Sequence, residues 1–151
     1  MVGSTPKATF GMMGEFGSDF PLWYFGNLGR DIIDFDPMMK SDLAFWSGYF
    51  DNFATLVNGN IAWSRSGDAE WYADRGRSLA FAVAEALGSE FGIELDVSDS
   101  APPRVFRSDT SPGREEAARS ARELVDAKER TDKRIRALKD AGVHLRWTAR
   151  R

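Results

Sequence analysis

The chain has 151 residues, no cysteine, 20 Lys+Arg and 23 Asp+Glu, for a formal charge of −3. That length is about one domain's worth and buries a sizeable core without staples, and the lack of thiols excludes disulfides, thiolate-bound zinc and thiolate-held iron–sulfur clusters. The charge is uneven: residues 1–100 hold 6 Lys+Arg against 15 Asp+Glu, whereas residues 101–151 hold 14 against 8, so an acidic body (1–100) is followed by a basic helix-strand extension (101–151) expected to pack on it.

The opening stretch MVGSTPKATFGMMGEF has one lysine and no small-residue cleavage pattern, so it does not read as a signal peptide. No segment approaches the roughly 18 to 20 uninterrupted apolar residues of a membrane span, and a cytoplasmic location is expected. Residues 8–16 read as a first strand. Gly17, Ser18 and Asp19 turn the chain into the aromatic run Phe20-Pro21-Leu22-Trp23-Tyr24-Phe25, which Pro21 marks as an edge strand or extended segment.

The organising stretch is 37–57. Met39, Leu43, Trp46, Phe50, Phe53 and Val57 recur at steps of four and three, which puts them on one helical stripe. Phe45, Tyr49 and Leu56 widen that stripe, Asp36 caps its start, and Pro37 fits the first helical position. Asn58-Gly59-Asn60 supplies a helix stop. Trp63 is expected to tuck back onto the core. A second helix runs from a cap at Asp68 to Leu87, with Gly88 as its left-handed stop; its stripe is Tyr72, Gly76, Leu79, Val83 and Leu87, and its small residues leave room for an antiparallel helix partner. Phe91, Ile93, Leu95 and Val97 alternate with Gly92, Glu94 and Asp96 as a half-buried strand, and a short strand follows at 105–107. A charged helix spans 114–141 with a thin apolar line through Ala117, Ala121, Leu124, Ile135 and Leu138, so it should be solvated along its length and held at its two ends. Val143, Leu145 and Trp147 suggest a terminal strand. The expected fold is α+β: a small antiparallel sheet packed by a helix pair, plus a C-terminal long helix and terminal strand.

Several of these segments, Pro21-Leu22-Trp23, Asp42-Leu43 with Trp46, Phe50-Asp51, Trp71, Gly76-Arg77-x-Leu79-Ala80 and Glu85-x-Leu87-Gly88, resemble a group of small bacterial proteins that carry a PLW segment, a tryptophan-bearing helix and a GR-x-LA helix followed by a strand. The likeness covers residues 10–97 and is structural in its motifs. Tyr24-Phe25-Gly26 stands where that group has an acidic turn, and the part from Arg104 onward lies outside the pattern. Some members look like immunity partners of secreted toxins, which implies an inhibitor of that type.

Chemistry-bearing constellations are sparse. His144 is the one histidine and has no Ser, Cys or acid beside it to form a relay, so it reads as a surface residue. Asp34-x-Asp36 offers oxygen to a hard cation but matches no loop motif. Arg75 and Arg77 lie among Glu70 and Asp74 as a salt-bridged face, and Gly11-x-x-Gly14 lacks the Lys-Ser/Thr of a phosphate loop. No cofactor, metal or catalytic role is expected. The aromatic run cannot put all its side chains into one core from an extended segment, so part of it is covered by the tail or offered to a partner. A basic protein is therefore the expected partner, met by Asp31, Asp34, Asp42, Trp23 and Tyr24. The alternative is nucleic acid at the C-terminal arginines, with Arg146, Arg150 and Arg151 grouped around Trp147.

Overall fold

The computed structural model describes residues 4–97 and 102–142. Its elements are β1 (Ala8–Met12), β2 (Leu22–Trp23), α1 (Pro37–Phe53), β3 (Ala54–Val57), β4 (Asn60–Trp63), α2 (Asp68–Leu87), β5 (Phe91–Leu95), β6 (Arg104–Arg107) and α3 (Glu115–Asp140). The fold is α+β, with a four-stranded sheet in the order β2-β1-β5-β6 and a separate β3-β4 hairpin. The Pro21-bearing segment supplies β2, at the edge of the sheet. The sheet is mixed, not purely antiparallel: β2 and β6 pair antiparallel with their neighbours, but β1 runs parallel to β5. Two helices and a hairpin intervene between β1 and β5, a connection long enough for the crossover a parallel pair needs. Phe10, Met12, Phe91, Ile93 and Leu95 are buried on the helix-covered face. β1 ends at Met12, short of residue 16, because the chain dives under the helices. There a Cβ on Gly14 would come within 2.8 Å of Phe50 Cβ, and the Gly14 N–H donates to Tyr72 Oη at 2.8 Å.

In α1, Asp36 accepts from the Met38 N–H at 2.8 Å with Pro37 in the first turn, and Leu43, Trp46, Ser47 and Phe50 are buried. The helix stops at Phe53, and the expected run to Val57 is a strand instead. Asn58 and Gly59 both have positive φ, 51° and 79°, and Val57 pairs with Asn60. That is the two-residue Asn-Gly hairpin turn, whose twist matches its strands. Leu56 and Val57 are consequently exposed rather than part of the buried stripe, and Phe45, inside α1, is exposed because it lies on the flank away from Leu43 and Phe50. Trp63 is half-buried against the core, 5.0 Å from the Tyr72 ring.

The α2 stripe is buried as its spacing requires: Tyr72, Gly76, Leu79, Val83 and Leu87. Gly67 occupies the cap position, with φ 86°, and Asp68 is the first helical residue. The Asp68 carboxylate accepts from the Arg65 N–H at 3.0 Å. Gly88 stops the helix at φ 80° and ψ −171°, outside the left-handed helical well. Asp42 facing Arg75, Phe45 facing Trp71 and Tyr49 facing Asp68 establish that α1 and α2 are antiparallel. Trp46 is the keystone between them. It stacks on Tyr72 at 4.2 Å and 5°, donates its indole N–H to the Tyr72 carbonyl at 2.9 Å, and fills the space a Cβ on Gly76 would need, 2.8 Å from Cζ2.

β6 joins the main sheet, and α3 lies against α2, burying Ala117, Ala118, Ala121 and Val125. Arg122 bonds Glu90 at 2.8 Å and Lys7 pairs with Asp126. α3 is thus held along its N-terminal half, while Ile135 and Leu138 are only half-buried. The terminal strand expected at Val143, Leu145 and Trp147 lies outside the described residues, as do His144, Arg146, Arg150 and Arg151.

Candidate protein-binding surface

The starts of α1 and α3 meet the end of α2 at one corner. Gly113 and Arg114 donate their N–H groups to the carbonyls of Glu85 and Ala86. Arg114 Nε donates to the Asp34 carbonyl at 2.7 Å, and the Asp34 N–H donates to Ser120 Oγ at 2.9 Å. These bonds enclose a cleft of about 390 Å³ whose lining includes Asp36, Met39, Glu85, Arg114, Glu115 and Glu116. Six carboxylates therefore gather from three separate segments: Asp31, Asp34 and Asp36 before α1, Glu85 in α2, and Glu115 and Glu116 in the first turn of α3. Asp36, Glu115 and Glu116 also complement the positive ends of α1 and α3, which is why acids are stable at this spot. Lys40 pairs with Asp31 at 3.1 Å and Arg114 with Asp34 at 3.5 Å, while Arg30 turns to Ser41 Oγ. Ile32 and Met38 are exposed among the acids.

Of the partner residues expected from the sequence, Asp31 and Asp34 lie at this corner. Asp42 lies farther along α1, paired with Arg75 at 3.4 Å. Trp23 and Tyr24 lie elsewhere, beside Phe25, over which Lys128 of α3 is seated at 4.6 Å. Lys128 is fourteen residues beyond Arg114, so the two places are about 21 Å apart along the helix. Tyr24 is half-buried, 5.2 Å from the Phe10 ring. Desolvation pushes its phenol above the ordinary value, with the Glu129 charge adding to the rise. The half-buried Trp23 keeps an indole N–H without a hydrogen-bond partner. Glu85, Glu115 and Glu116 were not expected from the sequence as partner-binding residues. The acidic first turn of α3 is visible there, but only the tertiary fold places it beside residues 31–36.

The remaining candidates have structural explanations. Arg75 pairs with Asp42 and Arg77 with Asp74, a salt-bridged face. Gly11 sits on β1 opposite Trp23 and Gly14 beneath Tyr72, so neither opens a phosphate-binding helix. Among the described residues no group of three or more His, Asp or Glu is placed to hold a metal ion, and no helix is long and apolar enough to cross a membrane. The buried carboxylate of Asp68 accepts a hydrogen bond from the Tyr49 hydroxyl and pairs with the Arg65 guanidinium at 3.3 Å. The Tyr49 bond holds it below the ordinary carboxylate value, with Arg65 adding to the effect. This network closes the hairpin onto α2. No protein-family model matches the chain, and no curated protein matches it.

Proposed function

We propose that this chain is a non-catalytic binding protein that covers a basic protein partner, an immunity-type inhibitor of the kind the sequence resemblance implies, and that the acidic corner is where the partner is recognised. The observation that carries the reading is the convergence of six carboxylates from three segments around exposed Ile32 and Met38. Clustered carboxylates of one sign raise the local concentration of a cationic surface and speed docking. Ile32 and Met38 supply the apolar contact that charge alone does not. Asp31, Asp34, Glu115 and Glu116 steer together with Asp36 and Glu85, because six carboxylates outnumber the Lys40, Arg114 and Arg122 cations that face three of them, whereas Asp42 and Arg75 form a neutral pair away from the corner. A standard footprint of about 800 Å² per partner is roughly 30 Å across, wide enough to reach from the corner along α3 to Tyr24 and Trp23 at its rim.

A protein partner is favoured over nucleic acid by the charge of α3, which interleaves 8 Lys+Arg with 7 Asp+Glu over residues 115–140 and so projects little field. The test is co-expression with the product of the gene adjacent to its own, followed by co-purification. A complex that survives gel filtration and is weakened by Asp31→Asn/Asp34→Asn/Glu115→Gln/Glu116→Gln supports the reading. A complex indifferent to those four changes contradicts it.

A further inference from the structure

A small cleft of about 140 Å³ lies at the other end of the helix pair, where the chain leaves β1 and β5. Phe50, which lines it, is fourteen residues beyond Asp36, so about 21 Å of α1 separates it from the acidic corner. Met13 and Gly14 enter the cleft just after β1, and Asp96 and Val97 just after β5. The Asp96 N–H donates to the Met12 carbonyl at 3.0 Å, which ties the two strand ends together. From the helices come Phe50 and Tyr72, their rings 5.6 Å apart. Tyr72 is only 1 % exposed and is held flat by its stack on Trp46. Met13, Phe50 and Val97 make apolar walls, so the polar side chains of the cleft are the Tyr72 hydroxyl and the Asp96 carboxylate.

That hydroxyl is only half satisfied. Its oxygen accepts from the Gly14 N–H at 2.8 Å, which leaves its proton to be donated. No described residue accepts it. Burial pushes the phenol above its ordinary value, with the Asp96 charge adding to the rise against the opposing Gly14 bond, so the proton is present at neutral pH. A buried donor without an acceptor is rare in a folded protein because it is costly. Asp96 is exposed at the mouth of the cleft, and its carboxylate has no partner among the described residues. A ligand that answers both groups needs a lone pair for Tyr72 and a proton for Asp96. An ammonium lacks the lone pair, a carboxylate is repelled by Asp96, and a ketone has no proton to give; a hydroxyl has both. The size selects the rest, since an apolar cavity of about 150 Å³ holds a benzene ring, and sulfur and aromatic edges such as those of Met13 and Phe50 suit one.

We infer that this cleft is a binding site for a hydroxyphenyl group, whose oxygen accepts from Tyr72 and donates to Asp96 while its ring lies against Met13, Phe50 and Val97. The donor is fixed in advance by the Trp46 stack and the Gly14 bond, so little freedom is lost when the group docks. The experiment is a titration of the full chain with phenol from about 0.05 to about 20 mM, the range expected of a ligand of seven heavy atoms, followed by the Met13 and Val97 methyl resonances. Both should shift and saturate, with nuclear Overhauser contacts from the phenol ring to both methyls. Toluene, which keeps the ring and lacks the oxygen, should bind at least about tenfold more weakly than phenol. Tyr72→Phe and Asp96→Ala should each weaken phenol by about tenfold and leave toluene within a factor of about two, with far-UV circular dichroism unchanged. Asp96 is exposed, so its variant decides the matter if Tyr72→Phe folds poorly. N-acetyltyrosinamide carries the same group on a backbone: binding at least as tight as phenol assigns the site to a tyrosine of another chain, weaker binding to a free phenol, and both support it. Resonances that do not saturate overturn the inference. So does toluene binding as tightly as phenol, or phenol binding that Asp96→Ala leaves unchanged. None of these results bears on the test of the acidic corner, which shares no residue with the cleft.

Discussion

Replacing Trp46 with alanine should remove the contact on which the helix pair depends. The side chain is fully buried, and truncating a buried Trp costs about 3 to 5 kcal/mol in lost transfer energy and cavity. Two features place this site at the upper end of that range. The parallel stack on Tyr72 is worth about 0.5 to 1.5 kcal/mol beyond its area, and the bond from the indole N–H to the Tyr72 carbonyl a further 0.5 to 1.5 kcal/mol, roughly. The bare Cα of Gly76 lies beneath the ring, so the helices can close the void only by moving together along their whole length. A loss of about 4 to 5 kcal/mol is expected, a large share of the 5 to 15 kcal/mol typical of a domain. With a urea slope of about 2 kcal/mol/M it moves the midpoint down by about 2 M. Far-UV circular dichroism is the suitable probe, because the substitution removes a fluorophore. Trp46→Phe, which retains a ring but not the N–H, should lose about 1 to 2 kcal/mol. A loss below about 1 kcal/mol in Trp46→Ala would refute the claim that this residue joins α1 to α2.

Gly14→Ala should destabilise by about 2 to 3 kcal/mol, since the new methyl meets Phe50 and the Tyr72 hydroxyl with no room to yield; a wild-type urea midpoint would contradict the close approach. Tyr72→Phe strands the Gly14 N–H at a cost of about 1 to 3 kcal/mol. It should also flatten the alkaline limb of stability, because burial raises the Tyr72 phenol above its ordinary value of 10.0. The stabilisation from that neutral phenol is full below pH 10 and lost as pH rises through the higher folded value. The acid limb has the opposite sign. Asp68 is held below its ordinary value of 3.8 by Tyr49 and Arg65, so its contribution is present above that value and lost as pH falls through the lower folded one. Asp68→Asn should therefore lower Tm at pH 7 and make the decline between pH 4 and 2 shallower, and an unchanged acid limb would remove Asp68 from the account.

Where one signal dominated locally, the fold was legible from the residues. The α2 stripe, the β5 alternation and the Asp36-Pro37 start of α1 were each decided by burial on one face or by a cap, and the structure places them so. The errors arose where two signals competed. Asn58-Gly59 serves equally as a helix stop and as a hairpin turn, and the apolar Leu56 and Val57 extended the helical count past Phe53 until the turn geometry won. The parallel β1-β5 pair was not legible, because the direction of a strand reached through a long crossover is settled by packing, not by residue type. Among the site residues, Asp31 and Asp34 were visible as acids in a loop. Their meeting with Glu85, Glu115 and Glu116 depends on how α3 folds back, which no local pattern encodes. Phe45 was read as widening the apolar stripe of the first helix and Trp71 only as part of a motif, yet only the antiparallel pairing reveals that they face each other on an outer surface.

The proposed function is tested most directly by the association rate of this chain with the product of the adjacent gene, followed by stopped-flow fluorescence at low and high salt. For wild type the rate should fall by at least about tenfold between roughly 20 mM and roughly 300 mM salt, as steering by exposed acids requires. The variant Asp31→Asn/Asp34→Asn/Glu115→Gln/Glu116→Gln should associate about tenfold more slowly at low salt and converge with wild type at high salt. Equal rates for the two proteins at low salt, with the variant folded, would contradict the claim that the acidic corner recognises the partner.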